Sequence, residues 1–161
     1  AAIVGYSDYT ARNVLDVAFS MLNQPYGWGD SNGDWDCSSL LKAIYGVFGI
    51  HLPRNGGNQE KAGTLVESYD KISAADKEKS IMAKATAGLT MVRMPGHIML
   101  YIGSHAGKAY VLHDVYGYSA PVDGGDKVFV INRTVVTDLQ PGSGSKRGSW
   151  LSRVNSIVDV R

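Results

Sequence analysis

The chain changes its hydrophobic period near residue 88, and that change limits the fold more than any other feature. Before it, apolar residues recur at helical spacing. Ala11, Leu15, Ala18 and Leu22 fall on one face with Val14 beside them, which predicts a helix over residues 10–22. Ser7, Asp8 and Thr10 are candidate N-caps. A second helix is predicted to begin at or just before Cys37 and end at Gly49, buried through Leu40, Leu41, Ile44, Val47 and Phe48. Residues 57–68 and 74–86 read as two more helices. After residue 88, short runs rich in Val, Ile, Met and Tyr predict strands over 89–93, 97–103, 108–114 and 127–132. The glycine- and serine-rich stretch 140–149 reads as a flexible loop, and residues 150–160 as a last strand. Helices first and an antiparallel sheet second is an α+β arrangement.

The 161 residues suffice for one domain with its own core, and residues 1–161 are expected to form one. Lys+Arg total 16 and Asp+Glu 15, so no basic face points to nucleic acid. No apolar run approaches the roughly 18 residues of a membrane span. The opening AAIVGYSDYT has neither the charged nor the apolar region of a signal peptide, as expected of a mature secreted protein or an excised domain.

There is one cysteine, which excludes an internal disulfide and a cysteine-based zinc cluster. Cys37 follows a glycine-rich loop, Gly27 to Gly33, and opens a buried helix. Unpaired N–H groups and the helix dipole favour an anion there, and the thiolate is the reactive form of cysteine. The same N–H groups suit an oxyanion. Position alone leaves the thiol balanced between nucleophile and buried hydrophobe.

A nucleophile needs a base. His97 opens one predicted strand and His113 closes the next, with Ser104-His105-Ala106-Gly107 between them. A hairpin symmetric about His105 sets His97 opposite His113 on one face, where one imidazole takes the thiol proton and the other orients it. A one-residue slip in register destroys this pairing. His105 is expected at a solvated tip, and His51, before Leu52-Pro53, in a structural connector.

These residues resemble the NlpC-like cysteine peptidases of bacterial cell walls. The resemblance rests on Pro25-Tyr26-Gly27-Trp28-Gly29-Asp30, Asp36-Cys37-Ser38-Ser39-Leu40, Leu52-Pro53-Arg54 and Gly96-His97 with the strand after it, and covers roughly residues 15–115. It implies a papain-like fold and hydrolysis of peptidoglycan stem peptides between D-γ-glutamate and a diamino acid, with no metal or cofactor. It implies Cys37 as nucleophile, His97 as base, His113 as third polar residue and Tyr26 near the oxyanion. Asp36, Ser38 and Trp28 are the implied substrate-binding residues, the first two toward the amine of an N-terminal L-alanine. Asp30 and Ser39 stand where the family has glycines. The segment before His97 resembles a subgroup whose catalytic domain follows Src-homology-like wall-binding domains, which implies excision from a longer chain. A monomer at the cell wall, periplasmic or secreted, is expected, with peptidoglycan or a muropeptide as its partner.

Three alternatives stay open. One is an amidase cutting between N-acetylmuramate and L-alanine. Another is a secreted antibacterial toxin of the same family, which would have an immunity or inhibitor protein. The third is an inactive wall-binding module. Tyr26 and Trp28 also read as core aromatics, Asp36 as a helix cap only, and Arg54 as a surface charge.

Overall fold

The computed structural model describes residues 5–160, without the side chains of residues 30–32. Helix α1 is Ala11–Ser20, capped by Thr10, and α2 is Cys37–Gly46. Leu40, Leu41, Ile44 and Tyr45 of α2 are fully buried, each contributing roughly 1.5–3 kcal/mol by leaving water. A turn follows α2 and closes at Gly49, whose φ of 75° is left-handed.

The stretch expected as one helix over 57–68 divides. Helix α3 is Gly56–Ala62, and strand β1 is Thr64–Ser68. Gly63 ends the helix, and β1 is drawn out by pairing with β6, Ser156–Asp159, far along the chain. Helix α4 is Ala74–Lys84, followed by β2 (Thr90–Met94), β3 (His97–His105), β4 (Lys108–Val122) and β5 (Gly125–Asp138). β4 and β5 run well past the short strands expected. Residues 150–160 are not one strand: a short helix α5, Trp150–Arg153, precedes β6.

The sheet is antiparallel, in the order β1-β6-β2-β3-β4-β5. Alternation along β3 sends Ile98 and Leu100 to the face covered by α1 and α2. Met99 and Tyr101 point the other way, against Ile81 of α4 and Trp150 and Leu151 of α5. The helices therefore cover both faces of the sheet. Among the described residues, no helix is long and apolar enough to cross a membrane.

The stretch 140–149 is not a loose loop. Gly148 N–H donates to Ser145 O, Trp150 N–H to Pro141 O, and Lys146 N–H to an Asp126 carboxylate oxygen. The backbone closes so tightly that a Cβ on Gly142 would lie 2.7 Å from Gly148 O.

Candidate active site

Asp36 sets the start of α2. Its Oδ1 accepts from the N–H groups of Ser38 and Ser39 at 3.0 and 2.9 Å, and Ser39 Oγ accepts from Asp36 N–H at 2.8 Å. This capping box fixes Cys37 as the first helical residue. Arg54 clamps the same carboxylate, Nη1 to Oδ1 at 3.1 Å and Nη2 to Oδ2 at 2.7 Å, and also donates to Ser38 Oγ. Burial pushes the Asp36 carboxyl up, but hydrogen bonds from Arg54, Ser39 and Ser38 outweigh it and hold it at about 2. Asp36 is thus a cap and more than a cap, and Arg54 is its ion-pair partner rather than an idle surface charge.

The base is positioned by two turns. Pro95-Gly96, with Gly96 at φ 82°, joins β2 to β3 and makes His97 the first residue of β3, opposite Met94. At its far end β3 turns through Ala106-Gly107, both at positive φ, so His105 pairs with Lys108. The hairpin is therefore not symmetric about His105. That turn alone gives a register with His97 and His113 on opposite faces. A β-bulge at Ile102 removes the offset: Gly103 pairs with Tyr110, but Tyr101 pairs with Val111 and Leu100 with Leu112. The two histidines return to one face, as diagonal neighbours rather than opposed ones. His97 Nε2 and His113 Nδ1 are 2.7 Å apart, and His113 Nε2 lies 2.9 Å from Thr137 Oγ1 of β5. Trp150 packs edge-on against His113, with ring centroids 4.9 Å apart.

The N–H groups of Ile98, next to His97, and Ser38 favour a charged sulfur on Cys37. Burial nevertheless raises the thiol above its ordinary value and outweighs those donors. Burial, with the charges of Arg93 and Arg153, lowers His97 to about 3. His113, fully buried, is lowered further by burial and by His97. Burial thus pushes both groups toward their neutral forms. Desolvation opposes the thiolate that the helix start favours.

Two cavities meet at this pair. One, of about 310 Å³, lies toward β4, β5 and the 142–148 turn, and its walls include Tyr26, Tyr116 and Trp150. The other, of about 500 Å³, is walled by Asp36, Ser38, Arg54 and Arg93. Cys37, His97, Gly96 and Trp28 line both. Trp28 is 76% exposed and stands at the rim rather than in the core. Tyr26 is partly buried and tied to β5 by its N–H to Asn132 O, and burial and then the charge of Cys37 raise its phenol. His105 and His51 lie on the exposed surface.

All seven residues singled out from the sequence line these cavities except His113, which backs His97 from beneath. Four contributors were not singled out. Thr137 holds His113, and Arg93 donates from Nη1 to His97 O at 2.8 Å. Asp114 is buried, accepts from Thr134 Oγ1, and is pushed up to about 6 by burial and the charges of Asp36 and Asp34. Arg153 reaches the smaller cavity from α5. Only Asp114, a carboxylate in an apolar strand next to His113, carried a sequence signal.

The model of the NlpC/P60 family matches residues 23–120, well over half of the sequence. The chain belongs to the NlpC/P60 family. This NlpC/P60 domain is 35% identical over 68 residues to a gamma-D-glutamyl-L-lysine dipeptidyl-peptidase of Bacillus subtilis, a match spanning 42% of the chain but 23% of that protein. Its fold is shared with an NlpC/P60 endopeptidase from Photobacterium damselae subsp. piscicida (TM-score 0.77, 21% identity, 92% of this chain and 38% of that one). It is shared too with the peptidoglycan hydrolase RipB from Mycobacterium tuberculosis (TM-score 0.55, 19% identity, 92% and 63%). The papain-like α+β arrangement of the NlpC/P60 domain is thus the one expected from its sequence.

Proposed function

We propose that this chain hydrolyses an amide bond in peptidoglycan stem peptides, between D-γ-glutamate and a diamino acid, with Cys37 as nucleophile. The observation that carries this reading is the meeting of two cavities at Cys37 and the His97–His113 pair, which gives an extended peptide a place on each side of the thiol. Family membership and the name of the Bacillus relative support the substrate class.

In the tautomers a base requires, His97 Nε2–H donates to His113 Nδ1 and His113 Nε2–H donates to Thr137 Oγ1. His97 Nδ1 is then left to accept. As a substrate carbonyl reaches Cys37, the thiol proton passes to Nδ1 while the C–S bond forms. The oxyanion is held by the Cys37 N–H and the Tyr26 hydroxyl. His97 returns the proton to the leaving amine as the C–N bond breaks, and then draws a proton from the water that hydrolyses the thioester. No metal enters these steps.

Asp36, Ser38 and Trp28 border the larger cavity, where the acyl-side peptide lies in this reading. A setting in the cell wall or periplasm, or outside the cell, follows from the substrate. Mass spectrometry of products from defined stem peptides is the test. A new diamino-acid amine, absent with Cys37→Ala at unchanged thermal stability, is the expected result. Release of L-alanine from muramate instead would replace the endopeptidase with an amidase, and substantial turnover by Cys37→Ala would sink the mechanism.

A further inference from the structure

The smaller cavity ends in two arginines that the mechanism does not use. Arg153 sits at the end of α5, one turn beyond the Trp150 ring that packs on His97 and His113. Arg147 comes from the hydrogen-bonded turn before that helix. Both line the cavity together with Ser119 and Ser145.

Among the described residues, neither arginine forms an ion pair, and the buried Nε of Arg153 has no hydrogen-bond partner. Asp126 accepts from Lys146 N–H, and Asp138 pairs with Lys108 rather than with either arginine. Two like charges beside one concave, partly apolar wall repel, and a buried donor left unmade is costly. Burial and the charge of Arg147 together make Arg153 hold its proton less tightly, and the charge of Arg153 in turn is felt at His97. An anion placed between the two relieves all three effects. A planar guanidinium fork suits a carboxylate in particular.

We propose that Arg153 and Arg147 form a carboxylate subsite for the residue on the leaving-amine side of the scissile bond. The inference rests on the stem-peptide reading above, in which the acyl side occupies the larger cavity. A diamino acid offers two carboxylate sources: its own α-carboxylate when it ends the stem, and the side-chain carboxylate that diaminopimelate has and lysine lacks.

Three L-Ala-γ-D-Glu tripeptides separate the sources: one ending in lysine amide, one in lysine with a free α-carboxylate, and one in diaminopimelate amidated at the α-position. Wild-type kcat/KM should favour one of the two carboxylate-bearing peptides over lysine amide by roughly ten-fold or more, the size of a charge-assisted hydrogen bond. Arg153→Gln should reduce that ratio to within about two-fold, and Arg153→Lys should restore part of it. Arg147→Gln, on the exposed turn, should lower the ratio as well and carries the test if Arg153→Gln does not fold. Equal wild-type rates on all three peptides, or a ratio untouched by both glutamine variants, would overturn the subsite and leave the endopeptidase standing. If no peptide is cut, the endopeptidase fails, and calorimetry on Cys37→Ala reads the subsite without turnover. Tighter binding of diaminopimelate than of lysine amide, lost with Arg147→Gln, supports it; equal binding overturns it.

Discussion

The Nε2 of His97 and the Nδ1 of His113 lie 2.7 Å apart, and the link continues from His113 Nε2 to Thr137 Oγ1 at 2.9 Å. The three residues come from three adjacent strands, β3, β4 and β5. Of the three, only His97 lines the cavities with Cys37, so the second histidine and the threonine act through it. On that basis His97→Ala should abolish turnover. His113→Ala should lower kcat by about 10²-fold with little change in KM, the smaller loss expected of an orienting group. Thr137→Val, which keeps shape and removes one acceptor, should cost less again, about ten-fold or under. Steady-state kinetics on one stem peptide ranks the three, and equal losses for the two histidines would show that their roles do not separate.

Burial holds the Cys37 thiol up and His97 down, to about 3, and so favours a neutral pair over a thiolate–imidazolium pair. The rate of Cys37 alkylation by iodoacetamide should keep climbing with pH through and beyond about 8.5, where ordinary thiols ionise. A plateau already reached below pH 7 would reveal a thiolate–imidazolium pair and contradict this reading. An alkaline midpoint also follows for an inert module, so it is turnover, not thiol titration, that separates enzyme from module.

From the described residues the Asp36 carboxylate accepts six hydrogen bonds, from Gly29 N, Ser38 N and Oγ, Ser39 N and both Nη atoms of Arg54. A carboxylate has about four lone-pair sites, so these are saturated. A substrate amine meets Asp36 only as a screened charge. Acetylating the L-alanine amine should therefore change kcat/KM by less than about ten-fold, the scale of one charge-assisted hydrogen bond. A larger loss would restore a direct role for Asp36. Asp36→Ala should destabilise the fold by about 2–3 kcal/mol, from the lost cap and the stranded, partly exposed Arg54. Asp36→Asn, which keeps a cap acceptor, should lose less; urea melts order the two. With its carboxyl lowered from 3.8 to about 2, Asp36 contributes stability that is present above pH 3.8 and lost as pH falls toward 2.

Buried groups next to one another pull the pH dependence in opposite directions. His97 and His113 are lowered, so below pH 6.5 the unfolded chain binds protons the folded one refuses, and stability falls as pH drops. Asp114 is raised from 3.8 to about 6, so the folded chain keeps its proton longer and stability falls as pH rises through that window. Removing the carboxyl with Asp114→Asn should steepen the rise of stability with pH between about 4 and 6. Denaturant melts at several pH values measure it, and an unchanged slope would mean that Asp114 titrates as it does in the unfolded chain.

The chain's own letters settled what depends on neighbours in sequence. Asp36 and Ser39 flank Cys37 at capping-box spacing, so the helix start was readable, as was the apolar stripe from Leu40 to Phe48. The change of period near residue 88 gave the α+β class, and the ordered motifs from Pro25 to Gly96-His97 gave the family. What depended on distant partners was not readable. Thr64–Ser68 looked helical and became a strand because β6 pairs with it, and residues 150–160 divided into α5 and β6 for the same reason. The 140–149 stretch is composed like a flexible loop, yet it is closed by its own hydrogen bonds and forms one wall of a cavity. The meeting of His97 and His113 was expected from a symmetric hairpin. It is delivered by a tighter turn corrected by a bulge at Ile102, and side-chain alternation in sequence cannot tell these registers apart. Tertiary structure alone decided that Thr137 backs His113, that Arg54 locks Asp36, and that burial opposes the helix dipole at Cys37. Each of these rests on groups brought together from separate parts of the chain, where desolvation and long-range pairing compete with local preference.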